Sequence, residues 1–207
     1  LGADQQQITT FLLPVQANNH PIYNPSLDYS VYLSQPFFFV LFQVLILLTT
    51  VYTVGIEIKF RTATDWLATA KGNMITAVLG KLLPYTFIYI LIGWLGNYVM
   101  FGILHIPFQG SWWLINMITV LFVIATQALG LFIFSLFPAV SLVISVVSMV
   151  GSLGATLSGV TFPVSNMYPL VRDVSYLFPV RHFTEMIQTM LYGGGGFIYL
   201  WPSMVIL

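Results

Sequence analysis

The feature that most constrains this chain is a series of long apolar runs without a charged side chain. They cover residues 37–56, 82–103, 112–137 and 139–159. A membrane-spanning helix needs about 20 apolar residues, and within the hydrocarbon core its backbone polar groups must find partners inside the protein. The four runs therefore predict four transmembrane helices.

A fifth apolar run begins at Phe197 and continues to Leu207. It is too short to cross a bilayer, which takes about 20 residues. We interpret it as a fifth span that is cut short. The expected fold is therefore all-α, a multi-pass transmembrane helical bundle over residues 37–207.

The charge content excludes two classes of protein. Charged residues make up 6% of the chain and the formal net charge is +0, whereas soluble domains carry about 25% charged residues. Most of the surface must therefore face membrane lipid or other apolar helices. Nucleic acid is not an expected partner, because phosphate binding needs clustered Lys and Arg.

The few basic residues predict the orientation of the spans. Lys59, Arg61, Lys71 and Lys81 all lie between the first two runs, and cytoplasmic loops carry an excess of Lys and Arg. This loop is therefore expected in the cytoplasm. Residues 1–36, a polar stretch rich in turn-forming residues, are then expected outside as the C-terminal end of an extracytoplasmic domain.

Residues 57–72 are too charged to span a membrane. On a continuous helix, their apolar residues would form one stripe, and Glu57, Arg61 and Asp65 would lie four residues apart, where acid and base can pair. We therefore predict an amphipathic helix on the inner membrane face. It is either a simple connector or a docking element for a cytoplasmic partner.

Small residues recur every four positions in the fourth apolar run, at Gly151, Ala155 and Gly159. Ser148 and Ser152 form a second small row beside them. Such spacing lets two helices approach closely. The pattern fits either packing within one chain or a seam between two chains.

Residues 160–195 are too apolar for a free loop and are interrupted by prolines at 163, 169 and 179. Proline ends helices and restricts the residue before it. We predict short helices that dip back into the outer leaflet, where non-helical backbone must be buried in protein or line a cavity. The segment is either a structural lid or an outer gate above a substrate path.

Catalytic chemistry is missing from the sequence. Gly80-Lys81 lacks the earlier glycine and the following Ser or Thr of a phosphate-binding loop. The chain contains no Cys, its three His residues lie far apart, and Ser152 has no His on another apolar run. We therefore expect no catalytic residue, no metal site and no enzymatic activity, so energy for uphill transport must come from another chain.

Four stretches together resemble the type-2 permeases of ATP-binding-cassette (ABC) transporters, in particular bacterial multidrug-type exporters with a large extracytoplasmic domain. The stretches are Tyr23-Asn24-Pro25 with Tyr29; Glu57 and Thr62 followed by Trp66-Leu67; Leu79 to Tyr85; and Ser158 to Pro163 with Met167, Pro169, Phe178-Pro179 and Arg181-His182. The sequence departs from the family at Arg61, where many members have Gly, and at Ala70, where many have Pro.

The resemblance implies the overall assembly. Each subunit would have six spans, with the first span and most of the outer domain preceding Leu1, in the bacterial inner membrane. Two permease subunits, identical or paralogous, would pair and bind two ABC ATPase subunits. ATP and Mg²⁺ would be bound by the ATPase, and this chain would hold no cofactor.

The resemblance also assigns roles to residues. The ATPase-coupling helix would comprise Glu57, Lys59, Arg61, Thr62, Asp65, Trp66 and Leu67. The outer re-entrant gate would comprise Gly159, Phe162, Pro163, Pro169, Pro179, Arg181 and His182. The expected function is ATP-driven export of an apolar or amphipathic substrate; the alternative is a membrane anchor or scaffold for a cytoplasmic partner that is not an ATPase.

Overall fold

The computed structural model of the protein describes residues 29–108, 110–192 and 197–207, and within these ranges it contains helices and no strand. The predicted all-α class is confirmed. The helices are α1 (Tyr29–Lys59), α2 (Ala63–Thr69), α3 (Met74–Asn97), α4 (Trp112–Leu136), α5 (Val140–Leu157), α6 (Pro169–Ser175), α7 (Pro179–Tyr192) and α8 (Phe197–Ile206). A π-helical turn (Tyr98–Ile103) extends α3, and a 3₁₀ turn (Val164–Asn166) precedes α6.

Four helical stretches are long and apolar enough to cross a membrane: Leu33–Lys59, Met74–Ile103, Trp112–Leu136 and Val140–Leu157. They correspond to the four predicted spans and confirm a membrane helical bundle. Helix α8 has 10 residues, which is about half of what a span requires. The Gly193–Gly196 linker and residues 1–28 of the expected outer domain lie outside the described residues.

Two helix starts differ from the predicted boundaries. Helix α1 begins at Tyr29 rather than at residue 37, so the last residues assigned to the outer domain continue the first span. Helix α3 begins at Met74 rather than at residue 82. The Asn73 side chain accepts hydrogen bonds from the backbone N–H groups of Ile75 and Thr76, and this N-cap sets the start.

Helix α1 is the centre of the bundle and packs against α3, α4, α5 and α7. Edge-on and tilted aromatic rings join α1, α4 and α7: Phe39 of α1 lies 5.6 Å from Phe122 of α4 and 4.0 Å from Phe183 of α7, between ring centroids. All three rings are fully buried. The edge-on Phe39–Phe122 pair lies at a distance at which aromatic pairs add to the energy of burial.

Helix α3 lies at the edge of the bundle. In the most apolar stretch of α3, 11% of the residues are buried, whereas in the corresponding stretch of α1 56% are buried. Polar side chains fix it to its neighbours: the Tyr89 hydroxyl donates to Thr49 of α1 at 2.5 Å, and the Asn97 amide donates to Thr119 of α4 at 3.0 Å. Hydrogen bonds of this kind hold helices together where burial gives no driving force.

Candidate functional site

The predicted continuous helix over residues 57–72 is wrong, because the chain breaks it twice. Helix α1 ends at Lys59, and Arg61 takes a left-handed backbone conformation with φ of 59°. The N–H of Thr62 donates to the Glu57 carbonyl at 2.9 Å, and the N–H of Arg61 donates to the Ile58 carbonyl at 3.2 Å. These two bonds form the helix-ending arrangement known as the Schellman motif.

The same arrangement ends α2. Lys71 has φ of 55°, and the N–H of Gly72 donates to the Leu67 carbonyl at 2.9 Å. The charged segment between the first two spans therefore contains one helix of seven residues, Ala63–Thr69, between two turns. The predicted apolar stripe is divided among three helices and does not form one face.

The ion pairing also differs from the prediction. Glu57 pairs with Lys81 of α3 rather than with Arg61, and it accepts a second hydrogen bond from the Thr62 hydroxyl. Arg61 forms no ion pair with a described residue. The Lys81 ammonium also lies 5.1 Å from the ring centroid of Trp66 on α2, within the range of a cation–π contact.

Lys81 therefore joins the end of α1, the middle of α2 and the body of α3. We call Glu57, Trp66 and Lys81 the cytoplasmic lock. A cavity of about 400 Å³ beside it separates α2 from α3 and is lined by Glu57, Trp66, Thr69, Ala70, Thr76, Ala77, Gly80 and Lys81. Sequence reasoning placed Lys81 at a span boundary and missed its role, because its partner lies in a different helix.

No residue of α2 is buried. Lys59, Arg61, Thr62 and Asp65 are exposed, whereas Trp66 and Leu67 are half-buried and turn toward the membrane helices. The residues assigned to the coupling helix thus lie close together, and they divide into an inward-facing pair and an exposed polar set.

Between α5 and α8, the described residues form a 3₁₀ turn and the helices α6 and α7, and their insertion into the outer leaflet stays a prediction. Helix α5 ends at Leu157, and Gly159 follows in the left-handed conformation with φ of 87°. Pro169 and Pro179 are the first residues of α6 and α7, a position that proline favours because its missing N–H needs no helical partner there.

Helix α7 begins deep in the bundle. The Val180 N–H donates to the Gln43 side-chain oxygen at 2.9 Å, and Gln43 lies ten residues inside the span Leu33–Lys59. At a rise of about 1.5 Å per residue, this contact is about 15 Å from the Leu33 end of that helix. The chain therefore runs back along α1 after α5, and sequence reasoning missed Gln43 as the residue that receives it.

Arg181 and His182 hold the start of α7 against the segment before it. The buried Arg181 side chain donates to the Ser175 hydroxyl at 3.0 Å and lies 5.0 Å from the Tyr176 ring. His182 Nε2 lies 3.0 Å from the Tyr176 carbonyl oxygen. Phe162 is exposed, and Pro163 precedes the 3₁₀ turn. Gly159 and Pro163 line the same cavity as Arg181.

The small residues of α5 pack inside the chain. A Cβ atom on Gly151 would lie 2.7 Å from Val44 of α1, and one on Gly154 would lie 2.7 Å from the Gln43 amide nitrogen. Ala155 is partly buried against the same core, while Gly159 lies beyond the helix end. Gly151 and Gly154 therefore form the close contact, and Gly154 was not singled out by the four-residue spacing.

The second small row has a different environment. Ser148 and Ser152 are exposed, and their hydroxyls donate to backbone carbonyls of the same helix. Within the described residues, no cluster of His, Asp and Glu could hold a metal ion.

Comparison with known proteins assigns this architecture to a family. The chain is 30% identical over 121 residues to the probable multidrug ABC transporter permease YbhS of Escherichia coli K12, covering 56% of this chain and 31% of that protein. It is also 30% identical over 109 residues to the inner membrane transport permease YhhJ of the same organism, covering 51% and 28%. The matched region thus spans less than a third of either relative. No solved structure matches the chain.

The family assignment covers nearly the whole sequence. The family model described as ABC-2 family transporter protein matches residues 2–207. This confirms the predicted resemblance to ABC transporter permeases. The chain belongs to the ABC-2 family of transporter proteins.

Proposed function

We propose that this chain is the membrane part of an ATP-driven exporter that moves an apolar or amphipathic compound across the bacterial inner membrane. A separate ABC ATPase subunit binds ATP and Mg²⁺, and a second permease subunit, identical or paralogous, completes the assembly. Family membership supports this function, as does the likeness to relatives that are named multidrug ABC transporter permease and inner membrane transport permease.

The observation that carries the proposal is the exposed cytoplasmic helix α2. It presents Asp65 and neighbouring polar side chains to solvent, and none of its residues is buried. A partner that binds this surface meets a short helix that is fixed at both ends to membrane helices. Such an element suits the transfer of motion from a soluble subunit to the spans.

The cytoplasmic lock provides the connection. Lys81 contacts Glu57 at the end of α1 and Trp66 on α2, while its own backbone belongs to α3. A displacement of α2 must therefore shift α1 and α3 together or break a charged contact. We propose that closure of the ATPase moves the spans through this lock.

The outer segment is the proposed gate. Helix α7 packs on α1, α4 and α5, and its start is bound to α1 through the Gln43 contact. A tilt of α1 relative to α5 would thus reposition α7. This would open or close the outer end of a path between paired subunits.

The first experiment tests whether a nucleotide-binding subunit docks on α2. The full-length protein is co-expressed with the ABC ATPase encoded beside it, and ATPase retention is measured after purification in detergent. Asp65→Lys reverses an exposed charge on α2. Asp173→Lys makes the same change on α6, whose residue 173 is also exposed, and it serves as the matched control on the opposite membrane face.

We expect the native protein and Asp173→Lys to retain the ATPase and Asp65→Lys to lose it. If the native protein retains no ATPase but captures another cytoplasmic protein through α2, the chain is an anchor or scaffold instead. Retention that is equal in both variants would show that the ATPase docks elsewhere.

A further inference from the structure

A second cavity lies on the outer side of the bundle. It has a volume of about 470 Å³ and is enclosed by the end of α5, the 3₁₀ turn, α6 and α7. Its lining mixes polar and apolar groups and contains two arginines and one carboxylate: Ser158, Gly159, Pro163, Val164, Ser165, Arg172, Arg181, Glu185 and Gln188. Two guanidinium groups and one carboxylate leave one net positive charge. In a chain with 6% charged residues, this is an unusual concentration of charge.

The two arginines differ in their partners. Arg181 is buried and bound to Ser175 at 3.0 Å and to Glu185 at 3.4 Å. Arg172 is exposed and has no carboxylate of a described residue within ion-pair distance. The Arg172 guanidinium therefore has N–H donors for a ligand, whereas the Arg181 guanidinium is held in place by Ser175 and Glu185.

The cavity favours an anion over a cation. Its carboxylate, Glu185, already accepts hydrogen bonds from Arg181 and from the Ser203 hydroxyl at 3.3 Å. A cation would have to compete with Arg181 for that carboxylate and would face the positive charge of Arg172. A phosphate or carboxylate would instead meet Arg172, with the hydroxyls of Ser158 and Ser165 nearby in the lining, and planar guanidinium groups match both anions.

The surroundings of the cavity are apolar. Phe162, Leu170 and Val171, which lie one or two positions from lining residues along the chain, are exposed by 49%, 65% and 38%. A soluble anion would leave these side chains uncovered. An amphiphile would cover them with its apolar chain while its headgroup entered the cavity.

We propose that this outer cavity binds the anionic headgroup of an amphiphile, a phosphate or a carboxylate attached to an apolar chain. Arg172 binds the headgroup directly, and Arg181 holds the wall of the cavity in place. The amphiphile is either a resident bilayer lipid or a molecule that exchanges with the surroundings. This inference does not depend on the proposed docking of an ATPase.

The test uses the full-length protein in nanodiscs made of phosphatidylcholine with phosphatidylglycerol. Native mass spectrometry measures which lipids stay bound after the disc is removed. We expect selective retention of phosphatidylglycerol, reduced about tenfold in Arg172→Gln, because this variant loses a charge-assisted hydrogen bond to the headgroup. Arg172→Lys retains the charge and should restore most of the binding.

Arg61→Gln removes an equally exposed arginine on the cytoplasmic side and should leave retention unchanged. Equal retention of both lipids, or a loss that is the same in Arg61→Gln and Arg172→Gln, would overturn the proposal. Competition with dodecyl phosphate then distinguishes a resident bilayer lipid from an amphiphile that exchanges with the surroundings. If it displaces phosphatidylglycerol, the cavity exchanges its ligand; if it does not, the bound amphiphile is a resident lipid.

Discussion

Arg61 occupies a backbone conformation that favours glycine. Its φ of 59° lies in the left-handed region, which costs an ordinary residue about 1–2 kcal/mol. The permeases that this chain resembles often have Gly at the corresponding position, and the helix-ending motif explains why. Arg61→Gly should therefore raise the free energy of unfolding by up to about 1 kcal/mol, measured as a higher midpoint in thermal unfolding of the purified protein.

Lys59→Gly is the matched control. Lys59 is the last residue of α1 and retains helical geometry, so glycine there should lower stability rather than raise it. A gain at both positions would show that lost side-chain charge, not backbone strain, controls the effect. No change at Arg61 would contradict the strain argument.

Gln43 holds the start of α7 through one hydrogen bond. Gln43→Leu would leave the buried N–H of Val180 without a partner, which costs about 1–3 kcal/mol. The same change removes the Gln43 amide nitrogen, which has no partner among the described residues. We therefore expect a net loss near the lower end of that range, about 1 kcal/mol, together with faster proteolysis of residues 158–178.

Thr50→Val provides the comparison for Gln43→Leu. Thr50 is equally buried in α1, but its hydroxyl donates to the Ile46 carbonyl of the same helix. Loss of the Thr50 hydroxyl leaves no polar group of another helix without a hydrogen-bond partner. Equal destabilisation and equal proteolysis in the two variants would mean that Gln43 is an ordinary core residue and does not hold α7.

At the scale of elements, α1, α2 and α3 meet at the cytoplasmic lock. Glu57→Lys places two ammonium groups together, so α1 should separate from α3 at this end and transport per ATP hydrolysed should fall about fivefold or more, the lower range of coupling free energies. The double exchange Glu57→Lys with Lys81→Glu restores opposite charges. It should recover much of the coupling without changing the amount of ATPase that co-purifies.

The measurement is the ratio of substrate transport to ATP hydrolysis in proteoliposomes that contain the whole transporter. Asp65→Lys is the contrasting variant, because we expect it to lower the amount of ATPase that co-purifies. A double exchange that is as defective as Glu57→Lys alone would show that the lock does not act through its charge pair.

The membrane helices could be predicted from sequence because uncharged apolar runs directly determine them. Helices α4 and α5 lie within one or two residues of the predicted 112–137 and 139–159. The cytoplasmic segment could not be predicted in the same way. The first break occurs at Arg61, a residue that carries no turn signal. The second occurs at Lys71 and Gly72; there the glycine and the N-cap Asn73 were turn and cap signals that were overlooked.

In the candidate sites too, some features could be predicted from the sequence and others could not. The short helices after α5 were recognisable from the prolines and apolar content of that segment. Its contacts were not, because Gln43 and Val180 are 137 positions apart and Lys81 reaches Glu57 from another helix. The four-residue spacing of Gly151 and Ala155 suggested a packing face, but the tight contact is made by Gly151 and Gly154, since the partner helix crosses α5 at that point.

At the scale of the whole molecule, α5 has two faces of small residues. One face packs against the rest of the chain, and the other is exposed. The glycine row faces α1, so the alternative of internal packing holds for Gly151. The hydroxyl row remains exposed: Ser141, Ser145, Ser148, Ser152 and Thr156. Small residues without bulky side chains let two helices approach closely in a membrane. We therefore expect this row to face a second permease subunit.

Residues 1–207 contain no Cys, so a single cysteine introduced here is the one thiol of this region, and the full-length protein without it serves as the background. Ser148→Cys should form a disulfide-linked dimer of the full-length protein in membranes under mild oxidation, because paired α5 helices would bring the two sulfur atoms into bonding range. Leu91→Cys lies on α3, is 61% exposed and should stay monomeric. Dimers from Leu91→Cys alone would place the seam on α3, whereas dimers from neither variant would leave both faces to lipid. A seam along the hydroxyl row would bring two copies of α5, each ending at an outer segment, against one another, so that the two α7 gates would lie on either side of a shared path.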